Sequence, residues 1–160
     1  MKIFNIIGSV LGLLFLGSNL ALAEIVKFGP SDIEYGLTPP ANWEKHDTTH
    51  GVQLVSQDKN TSLAVFLLKK EDITAEDLQQ LQQILPSKLG LTDVKKQEHP
   101  KNVVITGVLE ERELEIQQHD FEDCIVYIIA GGTDHAAIKN CIASLHRIAV
   151  KPKAADKKGK

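Results

Sequence analysis

One uninterrupted stretch decides the fold class: Cys124-Ile125-Val126-Tyr127-Ile128-Ile129-Ala130-Gly131-Gly132-Thr133-Asp134. Its first seven residues are apolar, as is typical of a central strand covered on both faces. Gly131 and Gly132 end the strand, and Thr133 or Asp134 then caps a helix. The buried stripe of that helix is expected to consist of Ile138, Cys141, Ile142 and Leu145. The stretch therefore predicts a buried strand followed by an amphipathic helix.

A second strand of the same kind lies upstream, at residues 62 to 68. Val52 to Ser56 and Ser62 to Leu68 are rich in β-forming residues and flank the polar turn Gln57-Asp58-Lys59-Asn60, which predicts a hairpin. The segment Leu63 to Leu68 is apolar at every position, so it is expected at the centre of the sheet.

The hydrophobic period then changes from two residues to between three and four. Thr74 and Asp77 have the spacing of a capping box, and Gly90 suits the left-handed end of a helix. The apolar stripe between them is formed by Leu78, Leu81, Leu85 and Leu89. Pro86 interrupts this pattern, so a kink or an early stop is expected there.

Four further segments complete the strand predictions. A first strand over 25 to 38 is broken at Gly29-Pro30, resumes at Ile33 and ends at Pro39-Pro40, because proline cannot donate to a sheet. The others are Asp93 to Glu98, Val103 to Leu109 and Glu113 to Gln117. Together these elements predict one α+β domain, an antiparallel sheet flanked by two amphipathic helices.

The amino-terminal residues have the features of an export signal. Lys2 precedes an apolar stretch, and Ala21-Leu22-Ala23 offers small side chains for cleavage before Glu24. We therefore expect residues 1–23 to be a signal peptide and the product to be periplasmic or secreted. An uncleaved membrane anchor is the alternative, since residues 3 to 22 nearly have the length to span a bilayer.

Composition and charge exclude several classes of protein. The chain has 160 residues, which suits one domain, expected here at 24–150, and its pI of about 6.1 argues against nucleic-acid binding. Residues 24–150 hold 20 acidic and 12 basic side chains, whereas the tail 151–160 holds five lysines and one aspartate. The tail is expected to be disordered. Alternatively, it tethers the protein electrostatically to an anionic membrane or polymer.

The candidate metal ligands are three histidines. His46 and His50 have the spacing of ligands on one helix face, but Thr48, Thr49 and Gly51 favour a strand or turn there. His119 precedes the acidic segment Asp120 to Asp123, which fits a hairpin turn better than a calcium loop. No phosphate loop, dinucleotide fingerprint, nucleophile elbow or zinc-protease motif occurs in the sequence. No cofactor is expected.

The two cysteines leave a disulfide open. An oxidising compartment favours pairing Cys124 with Cys141. Against this, the strand from Cys124 to Gly131 runs about 23 Å, while the following helix returns only about 10 Å by Cys141. Cys141 also belongs to the apolar stripe, where a free thiol behaves as a small hydrophobic group.

The segment Tyr35-Gly36-Leu37-Thr38-Pro39-Pro40-Ala41-Asn42-Trp43 resembles the opening of PsbP-like domains, including bacterial periplasmic DcrB-like proteins. The order of elements that follows is similar, up to a last helix ending in Ala143-Ser144-Leu145. The resemblance implies an antiparallel sheet flanked by helices and a role as a non-catalytic accessory or binding protein. Metal-binding residues of some plant members have no matching motif here, so none is carried over.

These observations predict an exported accessory protein that binds an unidentified protein or envelope component without covalent chemistry. Trp43, beside the rigid Pro39 and Pro40, is the candidate anchor for a partner; alternatively, it fills one end of the core. A second hypothesis is a periplasmic metal-binding protein that uses His46, His50 and His119. A third is a hydrolase whose site is not evident from sequence spacing.

Overall fold

The computed structural model describes residues 24–148, so the predicted signal peptide and the lysine-rich tail lie outside the described residues. Over these residues the chain forms ten strands, two helices and a 3₁₀ turn at Lys70–Asp72. The helices are α1 (Ala75–Lys88) and α2 (His135–Ala143). The strands are β1 Val26–Phe28, β2 Tyr35–Leu37, β3 Glu44–Thr48, β4 Gly51–Val55, β5 Thr61–Lys69, β6 Thr92–His99, β7 Asn102–Leu109, β8 Arg112–Asp120, β9 Cys124–Gly132 and β10 His146–Arg147.

Seven strands form the main sheet in the order β3-β4-β5-β9-β8-β7-β6, and every neighbouring pair is antiparallel. This confirms the α+β class with an antiparallel sheet. The two apolar segments of the sequence, β5 and β9, pair along nine positions at the centre of the sheet. Polar and apolar residues do not alternate in these two strands, because apolar groups cover both faces of the sheet at its centre.

The beginning and the end of the described chain form a second, three-stranded sheet in the order β1-β2-β10. The prediction of one interrupted first strand was wrong. At Gly29-Pro30 the chain turns, and β2 pairs antiparallel with β1. The predicted last helix also ends earlier than its apolar stripe, at Ala143. The chain then forms β10, which pairs with the free edge of β2.

The two faces of the main sheet pack against different elements. The face that carries Val65, Val126 and Ile128 belongs to a core cluster with the three-stranded sheet and with Ile138 and Cys141 of α2; we call it the α2 face. The opposite side packs in a second cluster with Leu81 and Leu85 of α1, and we call it the α1 face. Its main buried residues are Phe66, Ile105, Ile116, Tyr127 and Ile129.

The cap residues of helix α1 are those that its sequence predicts. Thr74 and Asp77 form both bonds of a capping box. Gly90 is left-handed, with a φ of 75°, and Leu91 N–H donates to the Pro86 carbonyl over 3.0 Å. The sequence predicted a kink or an early stop at Pro86; the early stop is wrong, because the helix continues to Lys88. The proline lies in the last turn, where its ring is buried and its carbonyl serves the helix cap.

A buried polar network joins α1 to the α1 face. Gln118 of β8 is 8% exposed, and its Oε1 accepts from the Tyr127 hydroxyl over 2.6 Å and from Gln82 Nε2 over 2.8 Å. Because buried polar atoms are costly when unpaired, these bonds fix the position of the helix on the sheet.

No helix within residues 24–148 is long and apolar enough to cross a membrane.

Candidate functional site

Strand β8 presents a row of polar side chains on the α2 face. Its pairing with β9 sets Glu115 opposite Ala130, Gln117 opposite Ile128 and His119 opposite Val126. Since side chains alternate along a strand, these three and Glu113 share one face. Glu113 is exposed, and Glu115, Gln117 and His119 are half-buried.

Helix α2 forms the other side of a groove along this polar row. The groove has a volume of about 510 Å³, which is within the range of small-molecule sites. Its sheet side contributes Thr106, Glu113, Glu115 and Gln117, and its helix side contributes His135, Ile138, Lys139, Ile142 and Ala143. The groove therefore has one charged, hydrogen-bonding side and one side that is largely apolar.

The polar row is connected by hydrogen bonds. Gln117 Nε2 donates to Glu115 Oε1, and Gln117 Oε1 is 2.7 Å from His119 Nε2. Desolvation by burial lowers the pKa of His119 below its ordinary value of 6.5, so the neutral ring, donating from Nε2, is the form that fits this row. The row thereby holds the Glu115 carboxylate in one orientation at the groove.

An aromatic series supports His119 from the core. The ring of His119 stacks on Phe121 with centroids 6.4 Å apart, and Phe121 lies 4.9 Å from the buried ring of Tyr35. Tyr35 in turn lies 6.3 Å from Phe28. The end of the polar row is therefore anchored in the core that the main sheet shares with the small sheet.

The three histidines considered as metal ligands do not come together. His46 lies on β3 on the α1 face, 3.8 Å from Glu44, whereas His119 lies on the α2 face, four strands away or about 19 Å. His50 is exposed in the turn between β3 and β4. Among residues 24–148, no group of three His, Cys, Asp or Glu side chains is arranged to hold a metal ion.

The acidic segment after His119 forms the predicted hairpin connection between β8 and β9. Asp120 pairs with Lys70 at 2.5 Å, and Asp123 pairs with Arg147 of β10 at 2.5 Å. These two carboxylates therefore bind the hairpin to neighbouring elements rather than converging on one point.

Trp43 lies at one end of the core. Its side chain is partly buried and packs against the cluster of the α2 face. The backbone N–H of Trp43 donates to the Pro40 carbonyl over 3.3 Å, and this bond closes the turn that follows Pro39. This placement favours the interpretation in which Trp43 fills the end of the core over the one in which it is an exposed anchor.

Cys124 and Cys141 are both free and buried. Cys124 begins β9, and the chain travels about 26 Å to Gly132 before α2 returns about 10 Å to Cys141. The disulfide left open by the sequence is therefore absent. Burial raises the pKa of Cys124, which lies close to Tyr35 and Asp123, and raises that of Cys141 to about 11. Both thiols stay protonated at neutral pH.

Sequence reasoning missed the groove residues Glu113, Glu115 and Lys139. A signal was present in the alternation Glu113-Leu114-Glu115-Ile116-Gln117, which separates a polar row from an apolar one. The position of α2 beside that row depends on tertiary packing, which spacing along the sequence does not show.

Comparison with known proteins gives a likeness at the level of the fold. No family model matches the chain, and no curated protein matches it. The solution structure of cyanobacterial PsbP (CyanoP) from Synechocystis sp. PCC 6803 superposes with a TM-score of 0.50 at 13% identity. The match covers 84% of this chain and 99% of that one. The fold of the chain is therefore similar to that of PsbP, as its sequence led us to expect.

Proposed function

We propose that the protein is an exported, non-catalytic accessory protein that binds its partner or ligand in the groove between β8 and α2. The observation that carries this proposal is the groove of about 510 Å³ that α2 and β8 form on the α2 face. A concave, largely apolar groove with a few polar groups is the usual form of a ligand-binding site.

The chemistry of the groove favours binding over catalysis. Two histidines lie at the groove: His135 lines it, and His119 lies in the polar row beside it. His119 is bonded to the side-chain amide of Gln117, whereas a general base is usually oriented by a carboxylate. Both cysteines are buried away from solvent and stay protonated, which makes them poor nucleophiles.

The two helices are proposed as the amphipathic covers expected from the sequence. In α1, Leu81 and Leu85 are buried while Gln79 and Gln80 are exposed; in α2, Ile138 and Cys141 are buried while Lys139 and Asn140 are exposed. Because each helix packs in a different core cluster, only α2 contributes to the groove.

Two alanines of α2 allow a matched test of the groove. Ala143 lines it, whereas Ala136 is on the same helix outside it, and both are exposed. We expect immobilised Ala143→Trp to lose a component that the parent protein captures from an envelope extract, because the indole fills the groove. Ala136→Trp should retain that component. Equal capture by both variants, with thermal unfolding unchanged, would contradict the proposal.

Export has its own test. Mass spectrometry of the protein recovered from a periplasmic or culture fraction should give a chain that begins at Glu24. Recovery of the intact chain from Met1 in the cytosol alone would remove this part of the proposal.

A further inference from the structure

Opposite charges face each other across the groove without pairing. Glu113 and Glu115 lie on its sheet side, and Lys139 lies on its helix side with His135 one turn before it. No salt bridge joins these glutamates to Lys139 or to another cation of residues 24–148. Two lysines that line a second cavity differ: Lys27 pairs with Glu34, and Lys69 pairs with Asp32 and Glu71.

The two sides are held apart by the fold. Glu115 is oriented by its bond from Gln117, and the backbone of Lys139 is positioned by α2, whose neighbouring residues Ile138 and Cys141 are buried in the core. Ile138, Ile142 and Ala130 contribute apolar surface to the same lining. The groove thus combines two carboxylates from the sheet, an apolar surface and one ammonium group from the helix.

We propose that the ligand is a small zwitterion with an apolar body, such as a free amino acid or a dipeptide; this proposal rests on the binding function proposed above. The ligand ammonium group lies against Glu113 and Glu115, its carboxylate lies against Lys139, and its side chain covers Ile138 and Ile142. A ligand with only a positive charge leaves Lys139 unpaired, and one with only a negative charge meets the two glutamates. Only a ligand with both charges satisfies both sides of the groove.

Capped peptides separate the contributions of the two charges. The probes are leucyl-leucine, its N-acetyl form without the ammonium group, its C-terminal amide without the carboxylate, and leucine. Titration of the protein, followed by NMR chemical shifts of residues in β8 and α2, should show binding of leucyl-leucine. Each capped form should bind about tenfold more weakly, because each has lost one charge-assisted bond. The affinity of leucine relative to leucyl-leucine distinguishes an amino-acid site from a dipeptide site.

Charge-neutral variants test the assigned residues. We expect Glu115→Gln and Lys139→Gln each to weaken leucyl-leucine binding by about tenfold, and Lys139→Arg to restore most of it. The matched controls are Glu122→Gln and Lys101→Gln, two exposed side chains outside the groove, which should leave the affinity unchanged.

Each outcome bears on one proposal. Capped and uncapped peptides that bind equally, or Gln variants that bind like the parent, would overturn the zwitterion site. Absence of peptide binding also overturns it. If Ala143→Trp still abolishes capture from the envelope extract in that case, the groove remains the binding site, but for a different ligand.

Discussion

The two faces of β8 show how one strand serves both folding and recognition. On the α1 face, Ile116 is 1% exposed and Gln118 is 8% exposed beneath α1. On the α2 face, Glu115 and Gln117 are half-buried and His119 ends the polar row. The two sets alternate residue by residue, so their difference arises from what packs above each face.

The comparison of the two faces shows that a polar residue of β8 has one of two roles. Gln118 is buried and bonded to Tyr127 and Gln82, so it holds a helix to the sheet. Gln117 is bonded to Glu115 and His119, so it orients groups that face the groove. Substitutions on the first face should change stability, and those on the second should change binding.

The largest effect is expected at Ile116. Ile116→Ala removes a fully buried side chain from the centre of the α1 face and should lower the free energy of unfolding by about 2–5 kcal/mol. Gln117→Ala, one residue away on the other face, should cost less than about 1 kcal/mol. Urea unfolding of both variants measures the difference. Similar losses for the two would show that the faces do not differ in this way.

The next effect concerns Gln118. Gln118→Ala leaves the buried Tyr127 hydroxyl without its acceptor and should cost about 1–3 kcal/mol. Adding Tyr127→Phe should then cost little, because the hydroxyl has already lost its bond. A double-mutant cycle by chemical denaturation tests this coupling. Strictly additive losses would mean that the network does not act as a unit.

A smaller, stabilising effect is expected where β7 turns into β8. Glu110 and Glu111 occupy this two-residue turn with φ of 47° and 66°, a conformation that glycine and asparagine adopt more readily. Glu111→Gly should raise the free energy of unfolding by about 0.5–1 kcal/mol. Glu98→Gly, in the extended strand β6, is the control and should lower it. A loss of stability in Glu111→Gly would indicate a contact of this side chain that outweighs its backbone strain.

The smallest effect is a pH dependence from His119. Because burial lowers the pKa of His119 below 6.5 in the folded protein, the unfolded chain binds a proton first as the pH falls. The free energy of unfolding should therefore decrease as the pH falls below about 6.5. It should stop decreasing on account of His119 once the pH is below the folded-state pKa of this residue. Thermal unfolding of His119→Gln should show a weaker decrease over the same range. His99→Gln, an exposed residue of β6, should behave like the parent.

The parts of the fold that were predictable depend on local patterns. The alternation between strand and helix periods located β5, α1 and β9, and the apolar character of β5 and β9 placed them at the sheet centre. The cap residues Thr74 and Gly90 fixed both ends of α1, since capping is decided by a few neighbouring residues.

The missed features depend on contacts between distant residues. Nothing local to Gly29-Pro30 distinguishes a break in a strand from a reversal, and β10 is a strand only because β2 offers it an edge. Likewise, Glu115 and Lys139 are separated along the chain and share a groove only through the packing of α2. Local patterns therefore predicted the central sheet but not the candidate site.

The pairing of β10 with β2 has a consequence for the order of events during synthesis. Thr38 N–H donates to Ser144 Oγ, 106 residues along the chain, and β10 completes the small sheet directly after it. A growing polypeptide cannot form these bonds until Ser144 and β10 have been synthesised. The small sheet is therefore completed only after all seven strands of the main sheet and both helices have been synthesised.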